Sequence, residues 1–344
     1  MRVLPLVALV AVAAAPAVKP EADGPQPVVV AVAAGPLKDV ARRVLLKPYA
    51  DATGTSLGDA AWDGTSDGLK TIGAAHGFDV AVLDGPALTA ACRAQIIDKL
   101  DWSKLNRDRF APNSTSDCGA PAGIATTAMA WDKDKVQGTP TWGDFWDVAK
   151  RPGRRGLQKT ARGNLEIALM ADGVSPGDVY RTLRSNDGVD RAFRKLDQLK
   201  PYVEWWDKPG QPAQSLASGK VLLTTAPAAG IAQADATQHR HFAVQWGGSL
   251  YEVISLAVAH GTPHATGAMD ALTVAFDIAR QALFAEATGL GPGVKDAVAL
   301  LPAEAKAASP ALPANLQPGL PIDEGFWADN HDKLEARFAA WLAK

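Results

Sequence analysis

Val28-Val29-Val30-Ala31-Val32 is a run of β-branched and small apolar residues that ends at Ala33-Ala34-Gly35-Pro36, and a helical pattern over residues 37–52 follows it directly. The order spells strand, tight turn and helix, because branched side chains suit a pleated surface and a Gly-Pro pair stops a strand. The same unit recurs. Phe78-Asp79-Val80-Ala81-Val82-Leu83 is apolar at nearly every position, stops at Asp84-Gly85-Pro86 and leads into the helix that carries Cys92. Strands this apolar, alternating with helices, predict parallel sheets covered on both faces, so the fold class is α/β. Ligands of such sheets bind beyond the carboxyl ends of the strands, where Ala33 to Gly35 and Asp84-Gly85 are expected.

From Thr139 the texture becomes helix-rich. Thr141-Trp142-Gly143-Asp144 reads as an N-cap followed by an acid in the first turn, with a helix over 145–149 that stops before Pro152-Gly153. Further helices are expected over 164–172, 176–184 and 189–199. Val221-Leu222-Leu223-Thr224-Thr225 reads as a buried strand and residues 251–259 as another. Residues 302–321 are rich in Ala and Pro and wrap the surface before a last helix over 326–342.

The chain has 344 residues, enough for two lobes, since a single core stops growing near this length. Its 35 Lys+Arg against 37 Asp+Glu supply no basic surface for nucleic acid or an anionic membrane. A small molecule is the better partner. Residues 1–17 carry one positive charge, an apolar run and then Ala15-Pro16-Ala17, the pattern of a secretory signal peptide. No Cys lies near that cleavage point, so no lipid anchor is expected, and no later stretch reaches the roughly 18 apolar residues of a membrane span. Export to an oxidising compartment makes a disulfide the expected state of Cys92 and Cys118, worth about 3 kcal/mol, with two buried thiols as the alternative.

Catalytic and metal motifs are mostly absent. The sequence holds no nucleophile elbow, phosphate loop or zinc-helix motif. Gly289-Leu290-Gly291-Pro292-Gly293 imitates a glycine-rich loop but follows a helix and contains Pro, so it reads as a turn. His239 and His241 flank Arg240, and His260 and His264 bracket Gly261-Thr262-Pro263, neither pair at ligand spacing. No metal and no cofactor is expected. Arg151, Arg154, Arg155, Lys159 and Arg162 form a basic cluster that reads as a solvated face.

Thr141-Trp-Gly-Asp-Phe-Trp-Asp-Val, Pro152-Gly-Arg-Arg-Gly-Leu and Asn164-Leu-Glu-Ile-Ala-Leu-Met-Ala-Asp-Gly-Val, in that order, resemble the bacterial extracellular solute-binding proteins of the spermidine/putrescine type. The likeness continues at Pro48-Tyr-Ala-Asp-Ala-Thr-Gly, Cys118-Gly-Ala-Pro, Trp205-Trp206, Ser218-Gly-Lys-Val and Gly261-Thr-Pro. What the resemblance implies is a two-lobed type II periplasmic binding protein, without catalytic activity, that captures a small organic solute in the cleft and delivers it to the permease subunits of an ABC importer. It implies crossovers near Trp131 and Tyr251, with residues 26–130 and 252–297 in the first lobe and 131–251 and 298–344 in the second. A monomer is expected. An exported enzyme or a sensor on the same scaffold stays open as an alternative.

The likeness also marks departures. A buried diamine needs a carboxylate for each ammonium and aromatic faces for its methylenes. Where the family carries Trp or Asp around that cage, this chain has Ala33, Pro227, Ile254 and Leu256. Glu166 occupies a position where polyamine receptors carry a ligand carboxylate, though a first-turn acid complementing its helix reads equally well. One carboxylate does not satisfy two separated ammonium groups, so a typical diamine is disfavoured against a ligand with one cationic head or a larger, less charged one, and polyamine binding proper is the alternative. The residues expected around the cleft are Ala33, Gly35, Ser66, Asp67, Asp84, Gly85, Glu166, Thr224, Thr225, Pro227, Tyr251 and Ile254. Ser66 and Asp67 read slightly better as a helix cap ahead of residues 69–75, and Trp205, Trp206 and Trp246 as core.

Overall fold

A computed structural model describes residues 25–344, so the export segment expected at residues 1–17 lies outside the described residues. The strands in chain order are β1 (Val28–Val32), β2 (Leu57–Asp59), β3 (Val80–Leu83), β4 (Ala120–Asp132), β5 (Arg155–Gln158), β6 (Val203–Trp206), β7 (Leu223–Pro227), β8 (Phe242–Val258), β9 (Gly291–Pro292) and β10 (Leu320–Pro321). They lie in the order β2-β1-β3-β8-β4-β7-β5-β6, with β9 against β4 and β10 against β8. Strands separated by helices pair in parallel: β1 with β2 and β3, and β5 with β6 and β7. The two long strands pair antiparallel with each other and with their neighbours β3 and β7.

These long strands, of 13 and 17 residues, join two α/β lobes. Their ladder runs from Ala120 opposite Leu256 to Asp132 opposite Phe242. Ile254 and Leu256 at one end of β8 pack in a core with Val30, Val80 and Leu272, whereas Leu250, nearer the other end, packs with Met129, Phe145 and Leu165 in a second core. Between those ends the ladder is interrupted: Thr127 pairs with Leu250 and Met129 with Gln245, so β8 carries residues 246–249 without partners. Gly248 takes φ +70°, which glycine adopts without a Cβ penalty. Its carbonyl accepts the Trp142 indole N–H at 3.1 Å, and a Cβ there would meet the same nitrogen at 2.7 Å. The bulge is therefore pinned to the second lobe.

The sequence placed the whole of 298–344 in the second lobe. Leu301 and Ala305 instead pack in the first core, while Leu320 and Phe326 pack in the second, so the last passage between lobes follows Ala305. The short helices here leave no periodic signal of the transfer: Ala303–Ala307 has no fully buried residue, and Pro313–Leu316 buries only Asn315 and Leu316. Cys92 and Cys118 are bonded, with Cα atoms 5.9 Å apart across 26 positions, and tie the helix Gly85–Arg93 to the segment entering β4.

Candidate functional site

A cavity of about 310 Å³ opens where the crossover strands meet the second lobe. Ala125, Thr126 and Thr127 of β4 and Leu250 and Glu252 of β8 form its floor. The carboxyl ends of three parallel-paired strands supply the wall: Gln158 closes β5, Trp206 closes β6 and Pro227 closes β7. Thr160, Arg162 and Gly163 follow from the loop after β5, and Gly289 and Leu290 face them from the first lobe.

Charge is concentrated on Arg162. Its Nη1 and Nη2 donate to the two carboxylate oxygens of Glu324 at 2.8 and 2.7 Å, and Nη2 donates to Glu252 Oε2 at 2.8 Å. Those three bonds leave two of the five guanidinium N–H donors. Burial opposes the Arg162 charge, but the Glu324 and Glu252 carboxylates outweigh it and hold the group protonated beyond its ordinary range. Burial pushes the Glu252 carboxyl up, and repulsion from Glu324 and from Asp84 adds to this against the pull of Arg162. One guanidinium and one carboxylate, Arg162 and Glu252, thus line the cavity, with Glu324 and Asp84 beside them. Trp206 is 5% exposed, and its indole Nε1 is buried without a hydrogen-bond partner.

Of the residues expected from sequence, Pro227 lines the cavity. Tyr251 does not. Successive side chains of a strand point to opposite faces, so Leu250 and Glu252 share the cavity face while Tyr251 turns away to pack with Ile124 and Val298. Ile254 lies deeper in the first core. Thr224 and Thr225 are buried within the sheet, their hydroxyls donating to the carbonyls of Thr225 and Gly156. Glu166 is wholly buried inside the second lobe: Oε2 accepts the Gly163 amide at 2.8 Å, and Oε1 accepts the Tyr180 hydroxyl at 2.9 Å and the Trp327 indole at 2.7 Å. Its first-turn capping role is the one the structure carries, and Glu166 does not line the cavity.

On the first lobe, Asp84 caps the helix Gly85–Arg93, its Oδ1 accepting the Ala87 amide at 2.9 Å, while remaining exposed. Gly85 packs against Glu324. Gly35, at φ +145°, precedes the helix Pro36–Val40, and Ala33 lies beside Gly64, neither on the cavity. Ser66 and Asp67 are exposed in the first turn of Ser66–Ala74; Thr65 is the cap, accepting the Gly68 amide at 2.9 Å. The local cap signal outweighed any cleft signal there.

Two site residues were missed. Arg162 stood in a basic cluster read as solvated, yet that cluster disperses: Arg154 pairs with Glu204 at the surface, and Arg155 is fully buried on the carbonyls of Phe145, Gly153 and Arg151, with burial lowering it to about 10. Glu252 was one residue from the expected Tyr251. Trp205 stacks edge-on against Phe338 and Trp341, a core role, whereas Trp206 faces the cavity. Trp246 lines a wider groove of about 1180 Å³ that shares Ala229, Gly289 and Leu290 with the cavity. His241, His260 and His264 each pair with one aspartate, and among the described residues no group of three or more His, Cys, Asp or Glu could hold a metal. Among them too, no helix is long and apolar enough to cross a membrane.

Two lobes hinged by crossover strands around a charged cavity define a type II extracytoplasmic solute receptor, a class that binds its solute without transforming it. The chain belongs to the bacterial extracellular solute-binding proteins, whose family model matches residues 45–314. The gamma-aminobutyric acid-binding protein of Pseudomonas aeruginosa is 39% identical over 269 residues, covering 78% of this chain and 76% of its own. Among solved structures, the Atu4243-GABA receptor is 26% identical with a TM-score of 0.80, over 92% of this chain and 98% of its own. A substrate-binding protein from Bradyrhizobium japonicum is also 26% identical, with a TM-score of 0.79 over 92% and 99%. The spermidine/putrescine receptor of Streptococcus pneumoniae, at 16% identity and a TM-score of 0.75 over 92% and 99%, shares the fold alone. The family supports a periplasmic location and a role in feeding an ABC importer.

Proposed function

We propose that the cavity binds a small ω-amino acid of the γ-aminobutyrate type, one ammonium and one carboxylate on a short apolar spacer, and that the protein, as an exported monomer, hands it to its permease. The observation that carries this reading is the mixed charge at the cavity: Arg162 and Glu252 line it, with Glu324 bound to the Arg162 guanidinium and Asp84 near enough to Glu252 to repel it. The remaining N–H donors of Arg162 and the unpartnered indole of Trp206 receive the ligand carboxylate, a geometry guanidinium groups favour. Glu252, with Asp84 from the first lobe, receives the ammonium. A diamine would bring its second cation against Arg162, and like charges in a cleft of low dielectric repel strongly. The 39% identity to a gamma-aminobutyric acid-binding protein supports the same ligand class.

Isothermal titration of the purified protein against γ-aminobutyrate, putrescine, butyrate and n-butylamine tests it. Expected is micromolar or tighter affinity for γ-aminobutyrate with at least tenfold weaker binding of the other three, a difference of about 1.4 kcal/mol. Preference for putrescine would reverse the assignment.

A further inference from the structure

We propose that Glu335, on the C-terminal helix Glu324–Leu342, is a positioning residue that aims Arg162 at the ligand carboxylate; the inference rests on the ω-amino acid reading. Its Oε1 accepts hydrogen bonds from the Thr160 hydroxyl, the Ala161 amide at 2.9 Å and the Arg162 amide at 3.2 Å. Successive backbone N–H groups converging on one oxygen form an anion nest, here filled by the protein's own carboxylate from 173 positions along the chain. Glu324, which grips the guanidinium of the same arginine, lies eleven residues earlier on the same helix. Eleven residues make about three turns, so the two acids project to one side. One helix therefore holds Arg162 at both ends, backbone and guanidinium. Between them Trp327 holds Glu166, and Glu166 holds the Gly163 amide, fixing the residue after Arg162 as well.

The helix does not depend on Glu335 for its seat. Trp327, Leu334 and Phe338 are buried in the second core, and Trp341 packs on Trp205 and Phe193. Loss of Glu335 is thus expected to free the loop without unseating the helix.

The test compares Glu335→Ala and Glu335→Gln with the wild type, reading dissociation constants for γ-aminobutyrate and n-butylamine, Tm, amide hydrogen exchange at Ala161 and Arg162, and the NMR signal of the Arg162 Nε–H. Glu335→Ala should weaken γ-aminobutyrate at least tenfold and leave n-butylamine and Tm nearly unchanged, with faster exchange at both amides. Glu335→Gln keeps a carbonyl oxygen to accept the two amides and should recover most of the affinity. Equal loss for both ligands, or unchanged affinity with unchanged exchange, overturns the inference. If the wild type binds neither ligand, the ω-amino acid reading fails separately. The positioning of Arg162 is then decided by its Nε–H signal, which should broaden in Glu335→Ala and, if unaltered, refutes it.

Discussion

Gly85 and Glu324 meet across the cleft so closely that a β-carbon on Gly85 would stand 2.1 Å from the Glu324 carboxylate. Gly85 opens a first-lobe helix, Glu324 opens the C-terminal helix packed on the second lobe, and further along both helices, eight residues on from Gly85 and five from Glu324, Arg93 Nη1 reaches Asp329 Oδ1 at 2.6 Å. The lobes thus touch at a point where a side chain at position 85 would require the Glu324 carboxylate to move.

Gly85→Ala is expected to hold the lobes apart. Ligand affinity should fall about tenfold or more, about 1.4 kcal/mol, while the Tm of the free protein stays within a few degrees. Titration calorimetry reads the affinity, and a larger radius of gyration with ligand present reads the failure to close.

Arg162→Gln removes the one cation facing Glu252 and Glu324 and leaves two partly buried carboxylates against each other. Breaking such a pair costs about 3 kcal/mol, to be seen as a lower urea midpoint. Arg162→Lys should recover stability but little affinity, because an ammonium lacks the planar fork.

Trp206→Phe removes a buried donor that has no partner in the protein. Folding stability should change by less than about 1 kcal/mol, while γ-aminobutyrate binding should weaken about fivefold, the worth of one hydrogen bond. An unchanged dissociation constant would remove the indole from the site.

The Glu252 carboxyl lies above the usual carboxylate range, chiefly through burial. A raised acid takes up its proton in the folded chain before the unfolded one does, so its contribution to stability is fully present below the ordinary carboxylate value and is lost as the pH rises to the raised value. Ammonium binding needs the ionised form and runs the other way. Affinity for γ-aminobutyrate should weaken as the pH falls through that window, approaching about tenfold per unit, and calorimetry in buffers of different ionisation enthalpy should detect a released proton.

Reduction of Cys92–Cys118, or their replacement by Ala, should lower stability by about 3 kcal/mol, as expected for a closed loop of 26 residues. Because the bond ends the helix that begins at Gly85, affinity should fall with it. Chemical denaturation with and without a phosphine reductant separates the two effects.

The lobes were legible because their signals are local. β1 and β3 are apolar runs ended by Gly-Pro, and the Thr141 capping box appears as expected, with Asp144 held well below the usual carboxylate range by Lys150 and by the Thr141 amide. β4 escaped notice because its 13 residues are buried on nearly every position and carry no alternation. β8 was read short because Gly247-Gly248 breaks its pattern. Of the residues expected around the cleft, Pro227 lines the cavity and Asp84 stands near enough to Glu252 to raise its carboxyl. Arg162 owes its place to Glu324 and Glu335, more than 150 positions away, and nothing near it in the chain separates it from the arginines that face solvent.

The unpaired stretch 246–249 gives the connection its mechanics. Where rungs are missing, two strands resist twisting less than an unbroken ladder does, so bending is expected at this pivot and at the second register shift, between Pro121 and Gly123. With Gly248 fastened to Trp142, that pivot travels with one half of the molecule.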